Sequence, residues 1–444
     1  MLISVRIGCL CLVLQACAAH VTQAQSAGFE RFWQTAQPGY LELYRGLHRE
    51  PELALHEEKT SARAAEQLRR FGYEVTTRVG GFGVVAVLKN GPGRTVLVRG
   101  DMDGLPVAEE TGLAFASQQR AQDPAGKEVP VMHACGHDLH LTNLLATAEW
   151  LAAQRASWRG TLVIVAQPAE EIGEGARSMI ADGLFKRFPK PDYALALHVE
   201  PELASGHVGI VSGWAAANTD SVDVDLYGRG GHGSRPQDAV DPIVMAAQYV
   251  MALQTLVSRR NDPLQPAVIT VGSIHGGSKH SIIPDSVHLQ LTVRSYSDAT
   301  RTALLDGIRQ LANDLSTTFR APKPPTIAMK ESYTPAVWND PKLASQAREW
   351  LGNALGKDVV GDFQPQMSGE DFGRYGRELK IPSLLVRLGA TPAKQLEASR
   401  LPGAVPVPGL HSSKFAPDAA LTLRTGVRVL STMVTALLPR TNTP

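Results

Sequence analysis

The chain has 444 residues, and its 44 Lys and Arg residues against 43 Asp and Glu residues give a formal net charge of +1 at pH 7. Its composition is 43% hydrophobic and 20% charged, which excludes a mainly disordered, collagen-like or multi-span membrane chain. The balanced charge indicates neither a nucleic-acid surface nor a polybasic membrane patch, and the length favours two domains.

The N-terminus is predicted to be a targeting segment. An apolar run at 7–19 follows Arg6, and small residues precede a cleavage point after residue 24. This pattern predicts a secretory signal peptide over residues 1–24 and an exported protein, periplasmic or secreted. Residues 14–17 also resemble a lipoprotein box, so a membrane-associated form anchored at Cys17 stays open, as does an uncleaved anchor.

Cysteine usage limits the chemistry of the exported form. Three of the four cysteines lie in the predicted signal, and only Cys135 remains after cleavage. One cysteine cannot form an internal disulfide, so Cys135 is either an inert core thiol or a functional thiolate.

The next part of the chain alternates helical and strand patterns. Apolar residues recur at helical spacing over 29–45, 57–71 and 139–153, and short apolar runs indicate strands over 84–88, 95–99, 161–167 and 193–198. This alternation predicts an α/β fold with a mostly parallel sheet. Active sites in such sheets form at the carboxyl ends of the strands.

The pattern changes near residue 214. Polar and apolar residues alternate over 221–226 and 286–293, and helical patterns occupy 241–256 and 298–319. An antiparallel sheet with one wet face is expected from this alternation. We therefore expect an α+β domain at 215–329, inserted between two parts of the first domain at 25–214 and 330–444.

A cluster of potential metal ligands precedes the helix predicted at 139–153. His133, Cys135, His137, Asp138 and His140 lie within eight residues. Thiolate and neutral imidazole are good ligands for zinc-like metals, and ligands at i and i+2 around a glycine can face one cavity. A single His or Cys would more often be a core residue, but five such residues favour a metal site.

Two carboxylates, Glu170 and Glu171, follow the strand predicted at 161–167. Adjacent side chains point in opposite directions in extended backbone, so one carboxylate could bind metal while the other faces a substrate. An isolated Glu-Glu pair would instead be two solvated loop residues. The position at the end of an apolar strand favours the functional interpretation.

Three further histidines are ambiguous when taken singly. His198 ends the strand predicted at 193–198 and could be a core histidine. His411 lies in a turn-rich segment. His232 lies in a glycine-rich loop that suits a close approach to a ligand, although a flexible turn would have the same composition.

Taken in order, these stretches resemble the dinuclear metal amidohydrolases, which include aminoacylases, hippurate hydrolase, plant auxin-conjugate hydrolases and, more distantly, a zinc carboxypeptidase. The matching stretches are RGDMDGLP at 99–106, MHACGHD at 132–138, QPAEE at 167–171, LH at 197–198, GGH at 230–232, IIPD at 282–285, SGEDF at 368–372 and GLH at 409–411. The cysteine in the second stretch resembles the hippurate and auxin-conjugate branch, since other branches have an aspartate there.

The resemblance implies two divalent metal ions, which could be zinc, manganese, cobalt or nickel. The Cys135 thiolate could bridge the two ions. The implied ligands are Cys135, His137, Glu171, His198 and His411. It also implies that Asp103 supports these ligands from behind. The inserted domain at 215–329 would act as a lid and form a homodimer.

The resemblance further implies how the reaction proceeds. Glu170 would be the general base that takes a proton from metal-activated water and passes it to the leaving amine. His232 would stabilise the oxyanion, often from the partner subunit in relatives. Relatives usually have Asn where this chain has Ser281, and that Asn is associated with the substrate carboxylate. Ser281 has fewer donors, and Arg294 could pair with a carboxylate instead.

The resulting hypothesis is an exported metal-dependent amidohydrolase that cleaves N-acyl amino acids such as hippurate-like conjugates. A metallo-carboxypeptidase or dipeptidase is the alternative enzyme, since the sequence does not reveal the size of the pocket. A non-catalytic metal-binding protein is the alternative from another class. The presence of Glu170 argues against it, because a binding site needs ligands but no base.

Overall fold

The computed structural model describes residues 27–330 and 332–440. The predicted signal peptide at 1–24 and its Cys17 lie outside the described residues. Within the part of the chain that is described, no helix is long and apolar enough to cross a membrane.

Eighteen strands and eleven helices are described, numbered here in chain order. The strands are β1 Glu74–Val79, β2 Gly83–Asn90, β3 Thr95–Asp101, β4 Arg120–Gln122, β5 Glu128–Pro130, β6 Gly160–Gln167, β7 Tyr193–Ala204, β8 Val208–Ile210, β9 Gly213–Ala216, β10 Asn218–Tyr227, β11 Gly231–His232, β12 Ala267–His275, β13 Ile282–Ile283, β14 Ser286–Ser295, β15 Thr326–Met329, β16 Val337–Asn339, β17 Val360–Asp362 and β18 Ser383–Thr391. The helices are α1 27–49, α2 Glu58–Arg70, α3 His137–Ala153, α4 Gly175–Ala181, α5 Leu184–Arg187, α6 Pro242–Thr255, α7 Asp298–Thr318, α8 Pro341–Leu355, α9 Gly373–Leu379, α10 Ala393–Ser399 and α11 Ala419–Leu437.

The chain forms two compact units. Among the described residues, the first unit contains 27–213, 339–363 and 375–440, and the second contains 214–330, 332–338 and 364–374. The domain limits expected from the sequence stay predictions.

An eight-stranded sheet forms the centre of the first unit, in the order β1-β2-β6-β3-β7-β18-β8-β17. Its middle pairings, β6 with β3, β3 with β7 and β7 with β18, are parallel. The strands β2, β3, β6, β7 and β18 are nearly continuous runs of buried residues, as expected for strands covered on both faces. The predicted α/β class with a mostly parallel sheet is confirmed.

The predicted elements of this unit are present, with small differences at their ends. The helices α1, α2 and α3 cover the predicted helical patterns, and β2, β3, β6 and β7 cover the predicted strands. The largest difference is in β7, which extends six residues beyond its predicted end at His198. Its extension pairs with β18, a strand that comes much later in the chain.

The second unit is built on an antiparallel sheet in the order β12-β14-β10-β15. Buried and more exposed residues alternate along β10 and β14, so the predicted sheet with one wet face is confirmed. The helices α6 and α7 pack their buried residues into the same apolar core. Side chains cap both helices, because Asp241 accepts from the N–H of Ile243 and Ser297 from that of Thr300.

Candidate metal centre

A tight loop at the start of α3 presents Cys135 and His137. Gly136 between them has φ +77°, in the left-handed region that glycine adopts without strain. A Cβ atom built at Gly136 would lie 2.6 Å from Cγ2 of Val199 and 3.4 Å from Cε1 of Phe415. Glycine is therefore required here both by conformation and by space, and the ligand atoms of its two neighbours lie within 4.8 Å of each other.

Glu170 and Glu171 lie in a turn after β6 rather than in the extended backbone expected from the sequence. The N–H of Gly173 donates to the carbonyl of Glu170 at 2.8 Å and closes the turn. Both carboxylates consequently approach the same atom: Nε2 of His137 lies 3.9 Å from Oε2 of Glu170 and 3.7 Å from Oε1 of Glu171. The expected opposite orientation of the two side chains is therefore wrong.

Asp103, just beyond the carboxyl end of β3, holds this turn and one imidazole. Its Oδ1 accepts from the N–H of Glu170 at 3.1 Å, and its Oδ2 accepts from that of Glu171 at 3.0 Å. Oδ1 also lies 3.1 Å from Nδ1 of His137. Asp103 thus contacts three of the predicted functional residues, and its supporting role stays a prediction.

His198, in β7, and His411, in a turn before α11, lie close to Cys135 and Glu171. Nδ1 of His198 donates to the carbonyl of Val199 at 2.8 Å, and its Nε2 lies 3.6 Å from Sγ of Cys135. His411 has a left-handed backbone with φ +64°, and its N–H donates to the carbonyl of Ala134 at 2.9 Å. Its Nε2 lies 3.4 Å from Oε2 of Glu171. A strained non-glycine residue of this kind is typical of functional sites.

The potential ligand atoms form overlapping groups whose members all lie within 4.8 Å of one another. Three of these groups are Cys135 with His137 and His198, Cys135 with Glu171 and His411, and His137 with Glu170 and Glu171. The structure thus brings together all five residues predicted as ligands and the predicted base. Their individual roles stay predictions.

The donor atoms fit divalent metal ions. Nδ1 of His137 is occupied by Asp103, while Nε2 of His137 and Oε1 of Glu171 are buried without a hydrogen-bond partner among the described residues. Burying such atoms unpaired is costly, so their convergence indicates a ligand that they would hold. Thiolate, imidazole and carboxylate together suit zinc and similar ions.

Burial and neighbouring charges shift the pKa values of several residues in the cluster. Burial raises the pKa of the Cys135 thiol well above its usual value, and the charge of Glu171 adds to this. Burial also raises the pKa of Glu171 to about 7, although His137 opposes the shift. Burial and His140 lower the pKa of His198, so its imidazole is neutral, as metal binding requires. A bound cation would favour deprotonated Cys135 and Glu171.

The sequence places His140 among the potential metal ligands but does not reveal its hydrogen-bond partners. Its Nδ1 lies 2.6 Å from Oδ1 of Asp101, and its Nε2 accepts from the N–H of Val199 at 2.9 Å. The ring also packs against that of His198, with centroids 4.6 Å apart. Arg99 pairs with Asp101 in the same buried group. This group fixes the part of β7 that carries His198.

Two other buried groups near the centre were missed. Nδ1 of His48 lies 2.6 Å from Oδ2 of Asp138, and its Nε2 lies 3.0 Å from Oε1 of Glu109. Glu57 accepts through Oε1 from the N–H of Ala169 at 2.8 Å. Burial, with the charge of Asp103, raises the pKa of Glu57 to about 8. No local pattern reveals these pairs, because the partners lie 61 to 112 residues apart in the chain.

The remaining predicted residues belong to the second unit. His232 pairs with Ile282 across β11 and β13, and the carbonyl of Ser281 accepts from the N–H of Gly233 at 2.9 Å, so His232 and Ser281 are neighbours. Nδ1 of His232 accepts from the N–H of Ser234 at 3.1 Å, which leaves the ring proton on Nε2.

Arg294 lies one residue before the end of β14. Its Nη1 donates to the carbonyl of Met367 at 2.8 Å and lies 3.3 Å from Oγ1 of Thr219. Its guanidinium is thus held by groups of the second unit, and its predicted contact with a substrate carboxylate stays a prediction.

Comparison with known proteins identifies the family. The profile of peptidase family M20/M25/M40 matches residues 97–400. Hippurate hydrolase of Campylobacter jejuni is 37% identical over 338 residues, which cover 74% of this chain and 82% of that protein. Thermostable carboxypeptidase 2 of Saccharolobus solfataricus is 33% identical, over 85% of this chain and 90% of that protein.

A solved structure agrees with these sequence matches. A Bacillus subtilis protein described as a dinuclear metal binding peptidase from the M20 family superposes with a TM-score of 0.73 at 26% identity, covering 91% of this chain and 99% of that chain. The resemblance expected from the motifs is confirmed: the chain belongs to peptidase family M20/M25/M40, and it is a metal-dependent amidohydrolase.

Proposed function

We propose that this enzyme is exported and releases an amino acid from an N-acyl amino acid, of the hippurate-like or a related class. The observation that carries the proposal is the position of Glu170 beside a buried set of five potential ligands. The carboxylate of Glu170 lies in this cluster but is not one of the five proposed ligands. The name of the 37% identical hippurate hydrolase supports the substrate class.

Each residue has a proposed task. Cys135, His137, Glu171, His198 and His411 would hold two divalent ions, zinc, manganese, cobalt or nickel. Such ions polarise a carbonyl and lower the pKa of water. Oε2 of Glu170, 3.9 Å from Nε2 of His137, would accept the proton of the attacking water and deliver it to the leaving amine.

The second unit would contribute to charge stabilisation and substrate recognition. Because Nδ1 of His232 accepts from Ser234, Nε2 carries the proton and is suited to donate to the developing oxyanion. Ser281 beside it is a proposed substrate contact, and Arg294 is a second candidate. Dimerisation through 215–329 is proposed as well, and measurement of the mass in solution tests it.

The experiment is amine release from a panel of N-acyl amino acids and dipeptides. The protein would be reconstituted separately with zinc, manganese and cobalt, with Glu170→Gln as the matched control. We expect cleavage by the wild type and at least about a hundredfold loss of kcat in the variant, which keeps its metal content. Loss of metal in Glu170→Gln would reverse the assigned roles of Glu170 and Glu171.

The same panel tests the alternatives. Cleavage of dipeptides in preference to acyl substrates would favour a carboxypeptidase or dipeptidase, which the 33% identical carboxypeptidase supports. Silence with two metals bound per chain would favour an unusual substrate or a metal-binding protein. Export through residues 1–24, or anchoring at Cys17, is tested by sequencing the N-terminus of the protein recovered from cells.

A further inference from the structure

Glu57, immediately before α2, has a fully buried side chain. Its Oε1 accepts two backbone hydrogen bonds, from the N–H of Leu55 at 3.0 Å and from that of Ala169 at 2.8 Å. One carboxylate oxygen therefore joins the segment before α2 to the loop after β6. Ala169 is fully buried, and because a buried N–H group must be paired, the loss of this oxygen would leave the N–H of Ala169 unsatisfied.

Both residues that donate to Glu57 have strained backbones. Leu55 has φ +68° and Ala169 has φ +52°, in the left-handed region that residues other than glycine rarely adopt. Such conformations persist only where surrounding contacts hold them. The hydrogen bond to Glu57 is a contact of this kind at each of the two residues.

Ala169 directly precedes the two carboxylates of the metal centre. The N–H groups of three consecutive residues each donate to a buried carboxylate, that of Ala169 to Glu57 and those of Glu170 and Glu171 to Asp103. The backbone of this turn is thereby held from two sides. The directions of the Glu170 and Glu171 side chains depend on the backbone held in this way.

We propose that Glu57 is a positioning residue of the metal centre: its Oε1 fixes the left-handed turn at Ala169, and through that turn it directs Glu170 and Glu171 toward Nε2 of His137. The inference rests on the function proposed above. It assigns a role to a residue that contacts neither substrate nor the proposed ligands through its own side chain.

Two substitutions test whether the acceptor oxygen of Glu57 holds the turn. Glu57→Ala removes the acceptor and allows the turn to relax, so we expect kcat and Co²⁺ affinity to fall about 10- to 100-fold, as for other residues that orient metal ligands. KM should change little, because the turn carries a base and a ligand rather than substrate contacts. Glu57→Gln keeps a carbonyl oxygen at the same place and should restore most of both quantities.

Glu52 offers a matched control in the same segment. Its carboxylate accepts from the N–H of Lys59 at 3.1 Å and of Thr60 at 2.8 Å, at the start of α2. Glu52→Ala therefore also removes an acceptor of two backbone hydrogen bonds, but these bonds do not involve Ala169. We expect it to lower the free energy of unfolding while kcat and Co²⁺ affinity stay near the wild-type values.

The experiment measures Co²⁺ binding by the visible absorption of the ion, kcat and KM, and urea unfolding for each variant. Wild-type Co²⁺ affinity and kcat in Glu57→Ala would overturn the inference, as would equal losses in Glu57→Gln or in Glu52→Ala. If Glu57→Ala does not fold, Glu57→Asp replaces it, because its shorter side chain cannot reach both donors. Co²⁺ binding needs no substrate, so this test stands even if the panel of acyl substrates fails.

Discussion

Replacement of Gly136 by alanine tests whether the loop between two proposed ligands is as tightly constrained as its surroundings indicate. Alanine in the left-handed region costs roughly 1–2 kcal/mol. The new Cβ would also lie 2.6 Å from Cγ2 of Val199, a fully buried side chain, and overpacking of this kind costs about 1–3 kcal/mol. The free energy of unfolding should therefore fall by about 2–5 kcal/mol.

Gly126 provides the control for the conformational part of this cost. It has φ +78°, and a Cβ built there meets no atom within 4 Å. Gly126→Ala should therefore cost only roughly 1–2 kcal/mol. Urea unfolding of both variants gives the difference, which we expect to be about 1–3 kcal/mol.

The Gly136 variant should also bind Co²⁺ more weakly, because movement of Val199 displaces its neighbour His198 and movement of the loop displaces Cys135 and His137. Gly126→Ala should bind Co²⁺ as the wild type does. Equal loss of stability in the two variants would refute the reasoning, since it would mean that Val199 moves aside without cost. Unchanged Co²⁺ affinity in Gly136→Ala would show that the loop does not transmit the overlap to the ligands.

Two further predictions concern pH and metal removal. Burial lowers the pKa of His48, but hydrogen bonds to Asp138 and Glu109 outweigh burial and raise this pKa from 6.5 to about 10. The stabilisation from the charged imidazole is therefore fully present below about pH 6.5 and is lost as the pH rises through 10. We therefore expect the stability advantage of the wild type over His48→Gln, measured as the free energy of unfolding, to decrease across this pH range by up to about 5 kcal/mol. A difference that stays constant with pH would contradict the assigned charge of His48. Removal of metal by a chelator should abolish activity and lower Tm, and addition of metal should restore both. At a metal concentration of 1,000 Kd, bound metal stabilises the folded state by about 4 kcal/mol, which is the stabilisation that the chelator removes. Identical melting curves with and without chelator would argue against metal bound to the folded protein.

Much of the fold follows from local patterns. Buried strands such as β3 and β6 are apolar runs in the sequence, and β10 and β14 show the period-two alternation of a half-buried sheet. These patterns are local because a side chain's exposure repeats with the period of its own element. The ends of elements are less local: β7 continues past His198 because it pairs with β18.

In the metal centre, too, some features are local in the sequence and others are not. Cys135 and His137 flank Gly136 in one motif, and the family resemblance adds Glu171, His198 and His411. The turn at Glu170, however, differs from the extended backbone expected at a strand end, because the N–H of Gly173 closes it. The sequence of this stretch does not by itself specify the turn, since the carboxylates of Glu57 and Asp103, which accept from its backbone N–H groups, come from other parts of the chain.

The sequence by itself therefore determined the fold class, the family resemblance and the identity of the potential ligands, because periodicity and residue chemistry are properties of neighbours along the chain. Apart from Asp103, which the resemblance implied, only the tertiary structure decided which groups hold these ligands in place. Glu57 reaches Ala169 across 112 residues, and His48 reaches Asp138 across 90. Such hydrogen bonds depend on where the folded backbone places each donor and acceptor, and burial makes them essential by removing water as the alternative partner.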